Sequence, residues 1–158
     1  MLREFSFTRE PRLEHYRILI REGRRACTTF SVIERRELGL EPGARTMLDA
    51  LRPECRDENE VSAWPGTTLL GATAIIRHYG INDRSTAVLA TVDGLFDWRQ
   101  PARLEDLILW RSEGDPWLVS TSHEQDAFLR LTLDEWADLR RREPHLAAIL
   151  AAPPAGSA

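Results

Sequence analysis

The chain has 158 residues, 42% of them hydrophobic and 29% charged, with a formal net charge of −4. That length suits one compact domain, and the balance excludes intrinsic disorder, which needs low hydrophobicity and a large net charge. All 21 basic residues are arginine, which excludes lysine nucleophiles, Schiff-base chemistry and the P-loop, each of which needs the ammonium group.

The first elements read as strands. Phe5 and Phe7 alternate with polar neighbours. Tyr16, Ile18 and Ile20 do the same, Glu22-Gly23-Arg24 reads as a turn, and Cys27 to Ile33 is rich in β-branched residues. Two such runs across a short glycine-containing turn predict an N-terminal hairpin. After Glu41-Pro42-Gly43, residues 44–52 predict a short helix with Met47, Leu48 and Leu51 on one stripe, ended by Pro53. Residues 54–62 read as an exposed acidic loop, and Trp64-Pro65-Gly66-Thr67 as a turn.

Residues 69–79 fit a strand bulged at Gly71 or a helix closed by Gly80. The β-branched Thr73, Ile75 and Ile76 favour the strand. Residues 85–93 predict a helix capped by Ser85 or Asp83, with Gly94 just past its end. Leu107–Trp110, Trp117–Thr121 and Ala127–Leu131 predict a three-stranded meander with a turn at Ser112–Asp115. Thr132-Leu133-Asp134-Glu135 is a capping box that starts a helix to about Arg142. Pro144 restarts a short helix through Leu150.

This order predicts an α+β fold: a mainly antiparallel sheet, made of the N-terminal hairpin and the C-terminal meander, covered by helices. The expected organisation is a single domain over 1–151 with a flexible tail over 152–158.

Several functions are disfavoured at once. The sequence pI is about 5.6, and the arginine runs at 24–25, 35–36 and 140–142 have acidic neighbours, so nucleic acid is not the expected partner. No signal peptide and no run of ~18 apolar residues is present, so the cytoplasm is the expected location and no membrane partner is expected. Cys27 and Cys55 are too few for a disulfide framework and lack metal-ligand spacing, and no two histidines are paired in sequence. No cofactor and no metal are expected.

The densest polar cluster is Ser120 to Asp126. His123-Glu124 begins like the zinc-protease helix motif, but the position four after His123 is Ala127. A serine beside His123 would point to the other face of a strand. Glu105 and Asp106 form a carboxylate pair ahead of a strand, an arrangement that acid-base chemistry uses across a cleft and that ordinary surfaces also show.

Recognition remains. Five tryptophans stand in the chain, with Trp64, Trp98, Trp110 and Trp117 at element edges, and tryptophan is favoured at interface hot spots. An acidic loop can mask a basic partner surface and speed association. Small size, an acidic loop and tryptophan-rich edges together have the style of an immunity protein that blocks a bacterial toxin. The expected function is therefore a protein-binding module that occludes a basic toxin or enzyme domain. Asp57, Glu58, Glu60, Trp64, Trp98 and His123 are the candidate binding residues, with none assigned as catalytic. The alternatives are a small hydrolase using His123 and Glu124, and an accessory or homodimeric subunit that packs through Trp110 and Trp117.

Overall fold

The computed structural model describes residues 1–155; residues 156–158 of the expected tail lie outside the described residues. In chain order the elements are β1 (Arg3–Phe7), α1 (Glu14–Ala26), β2 (Thr29–Glu34), α2 (Pro42–Leu51), β3 (Cys55–Val61), β4 (Ala63–Trp64), β5 (Thr67–Thr68) and β6 (Ala74–Gly80). They continue with α3 (Asp83–Leu89), β7 (Glu105–Ser112), β8 (Asp115–Thr121), β9 (Asp126–Leu131), α4 (Leu133–Arg142), α5 (Pro144–Ala147) and β10 (Leu150–Ala151). The fold is α+β. One eight-stranded antiparallel sheet runs in the order β10-β1-β9-β8-β7-β2-β6-β3, and β4 and β5 form a separate small hairpin. None of the helices is long and apolar enough to cross a membrane.

Two apolar layers follow from the alternation of side chains along the strands. Phe5, Phe30, Leu109, Leu118 and Leu129 face the helices and join Tyr16, Leu19 and Leu146 in the main core. Ile33, Ile76, Ile108 and Trp110 face the other way and form a second cluster with Trp64 and Ala74. Each large side chain so buried contributes ~1.5–3 kcal/mol. The β4–β5 hairpin lies over this second face. At its turn Gly66 has φ +91°, and a Cβ there would sit 2.5 Å from Thr121 Oγ1, so the tip rests directly on β8.

The C-terminal half follows the sequence reading closely. The meander β7-β8-β9 forms, and Thr132 and Glu135 make the reciprocal capping box of α4. Residues 74–80 are strand. The helix expected from residue 85 starts instead at Asp83, with Asn82 as its cap, and it ends at Leu89, well before Gly94. The helix expected from Pro144 to Leu150 stops at Ala147; the chain then extends, and Leu150 pairs with Phe7.

Two expectations are corrected. The N-terminal hairpin does not exist, because residues 14–26 are helix α1. Tyr16, Ile18 and Ile20 imitate strand alternation, yet Leu19 is buried as well, and Tyr16, Leu19, Ile20 and Gly23 lie at the helical spacing. Gly23 is the crossing point of this helix over the sheet: a Cβ there would meet Leu109 Cδ1 at 2.3 Å. Residues 55–61 are not a loop but β3, the edge strand, paired only with β6 and exposed along almost its whole length.

Candidate functional site

Because residues 55–61 form a strand, their side chains separate by parity. Asp57 pairs with His78 and Asn59 with Ile76, on the side of the second apolar cluster. Glu58 and Glu60 stand opposite Arg77 and Ile75, on the other side. The three predicted acids therefore serve two faces of one edge.

Their charges are answered unequally within the chain. Arg77 donates through Nε to Glu58 Oε2 at 3.0 Å and through Nη1 to Glu34 Oε1 at 2.8 Å. The Thr73 hydroxyl donates to Glu60 Oε1 at 2.6 Å, and Arg36 Nη1 lies 3.5 Å from the same oxygen. The Thr73 hydrogen bond first, then the Arg36 charge, hold the Glu60 carboxyl below the ordinary carboxylate range. Among the described residues Asp57 has no arginine partner: His78 Nε2 is 3.9 Å from its Oδ1, and Asn59 donates to that same oxygen at 3.2 Å.

Beside Asp57 the sheet face opens into a groove of about 380 Å³, lined by Thr29, Arg56, Asn59, His78, Trp110 and Glu113 among others. The β4–β5 hairpin covers the neighbouring part of this face, so the groove is the stretch it leaves open. The His78 and Trp110 rings meet at 5.7 Å, and the Trp110 indole donates to Ser31 Oγ at 2.8 Å, which fixes the ring as a rigid wall. The site thus combines an unpaired strand edge, one weakly compensated carboxylate and an aromatic-walled groove.

The structure separates the other predicted residues from this edge. Trp64 and Trp98 are core, not surface. Trp64 is 6% exposed, and its indole donates to Asp106 Oδ2 at 3.0 Å. Trp98 is fully buried; its indole donates to the Tyr16 hydroxyl, which in turn donates to Leu89 O. Large aromatic rings reward burial, and their N–H groups found partners inside. Trp110 and Trp117 are also buried within the chain, at 7% and 3% exposure, so neither offers a protruding anchor for assembly.

His123 sits far along the chain's other turn, in a 3-10 segment over Ser122–Glu124. It is partly exposed, and its Nε2 lies 3.9 Å from Glu124 Oε1. The serines beside it do not face it as nucleophiles: Ser120 donates to Leu107 O at 2.8 Å and Ser122 Oγ lies 3.5 Å from Leu95 O. The groups that converge on His123 are Glu105 and Asp106, with ligand atoms of all three within 4.8 Å of one another. His78 is not in this cluster; it lines the groove beside Asp57. Asp106 accepts the Ser122 amide at 2.9 Å as well as Trp64, and Glu105 accepts the Gln100 amide at 2.8 Å. Burial raises both carboxyls above their ordinary range, and the Gln100 and Ser122 amides oppose that rise.

Of the groove residues, Asn59 and His78 were not among the candidate binding residues, and Trp110 entered only as an assembly residue. The signal that could have found them was parity: once 55–61 is taken as a strand, Asp57 and Asn59 share a face. Comparison with protein-family models, curated proteins and solved structures finds no match to this chain.

Proposed function

We propose that the chain is a protein-binding module that occludes a basic segment of a partner protein, in the manner of an immunity protein against a toxin domain. The observation that carries this reading is β3: seven residues of exposed edge strand, bearing Asp57, Glu58 and Glu60 and bordered by the groove at His78 and Trp110. An unpaired edge presents alternate N–H and C=O groups to an added strand, and the pockets beside it select side chains. The carboxylates choose among strands: they repel an acidic or identical edge and attract a basic one. Asp57, the β3 acid least compensated from within the chain, is placed to meet an arginine or lysine whose stem lies against Trp110.

The test is capture of proteins from the source cells on the tagged chain, with the triple variant Asp57→Ser, Glu58→Ser, Glu60→Ser run in parallel. The expected result is one stoichiometric protein held by the wild type, released as salt rises, and lost by the variant. A protein held equally by both, with the same salt dependence, overturns the reading.

A further inference from the structure

Glu105 and Asp106 are adjacent in β7, where a regular strand would send their side chains to opposite faces. They do not diverge. Asp106 has φ +54°, and the pairing of β2 with β7 shifts register between Ser31 and Ile33. This bulge brings both carboxylates to one spot, and the turn after β8 brings His123 to the same spot.

The acids are only 5% and 1% exposed. No arginine forms an ion pair with either among the described residues. Asp106 has a donor on each oxygen, Trp64 Nε1 on Oδ2 and the Ser122 amide on Oδ1. Glu105 accepts the Gln100 amide on Oε1 alone, and among the described residues no donor takes its Oε2. Two adjacent buried carboxylates without a direct ion pair are costly, since burial penalises charge that is not paired. Arg99 and Arg35 act on Glu105 and Asp106 only at a distance, so a cation in direct contact with both, held also by the imidazole of His123, would offset that cost.

We propose that Glu105, Asp106 and His123 bind a divalent transition-metal ion, for which zinc is the probe. One imidazole with two carboxylates suits zinc and its neighbours better than calcium or magnesium, which favour oxygen alone. Zinc takes such ligands at about 2.0–2.2 Å, so two of them stand at most about 4 Å apart across the ion. The three ligand atoms lie within 4.8 Å of one another, so ligation would draw them closer, and His123 is the exposed member of the three. The two carboxylates balance the ion's charge, and three protein ligands leave a fourth position open. This site is separate from β3 and does not depend on the partner reading.

The experiment is calorimetric titration of the untagged, chelator-treated full chain with zinc chloride, together with thermal melts with and without the ion. The expected result is one equivalent bound, a melting point raised by zinc, and affinity lowered about tenfold or more in both His123→Ala and Glu105→Gln. Glu113→Gln, at an exposed carboxylate just past the far end of β7, keeps the wild-type affinity. His123→Ala changes only a partly exposed side chain and so stays folded even if Glu105→Gln does not. No zinc binding by the wild type, or a loss in His123→Ala smaller than tenfold, overturns the site.

Discussion

Asp57 is the acid of β3 with the weakest answer inside the chain, since Glu58 has Arg77 and Glu60 has Thr73 and Arg36. Asp57→Asn should therefore slow association with the captured partner about 3- to 10-fold at low salt, more than Glu60→Gln does, as measured by stopped flow or surface plasmon resonance. Equal effects would mean that the pairing within the chain is immaterial to binding. The two cysteines separate by burial. Burial, before any charge, pushes the Cys27 thiol up to about 12, so iodoacetamide at pH 8 should leave it intact in the folded protein. Cys55 is exposed, and its thiol is raised first by desolvation and then by Glu58. Glu58→Gln should speed its alkylation a few-fold, because only the thiolate reacts; mass spectrometry of the modified chain reads both. Asp106 fastens the Trp64 indole and the Ser122 amide. Asp106→Ala leaves both donors buried without a partner, and should cost roughly 2–5 kcal/mol in metal-free urea unfolding.

At the scale of elements, α1 shows why residues 14–26 read as strand and turn although the strands on either side of them, β1 and β2, form. Its N-cap is Leu13, at φ 51° and with no side-chain cap, so none of the usual start residues announces the helix. Gly23, which looks like a turn residue, is instead the place where α1 approaches Leu109 and Trp117. Alanine in a helix interior ordinarily stabilises by ~1 kcal/mol over glycine. Here Gly23→Ala should destabilise by about 1–3 kcal/mol, because the new methyl meets a packed core; a raised urea midpoint would contradict that crossing. The C-terminal elements were legible because their signals are local: a hairpin turn at Glu113-Gly114 and a capping box at Thr132 and Glu135. The acidic stretch 55–61 was recognised as exposed but not as a strand, since its composition is that of a loop and its pairing with β6 is a tertiary fact.

At the scale of the whole molecule, the α+β class and the antiparallel sheet could be read from the sequence, whereas the strand order could not. That order puts β3 on an outer edge and places β7 between β2 and β8, contacts between segments far apart in the chain. The site was legible only in part for the same reason: Asp57, Glu58 and Glu60 were visible as a charge cluster, while the groove at His78 and Trp110 exists only once β6 and β7 flank β2. Like charges on facing edges repel, so the wild type should sediment as a monomer, and the triple serine variant at 57, 58 and 60 should associate as its concentration rises. The central claim, that β3 receives the partner, is met most directly by amide hydrogen exchange on the complex with the captured protein. The β3 amides that face away from β6 should exchange at least about tenfold more slowly in the complex, with α4 unchanged. Unaltered exchange across Cys55–Val61, with protection appearing instead on the α1 and α4 surface, would contradict it.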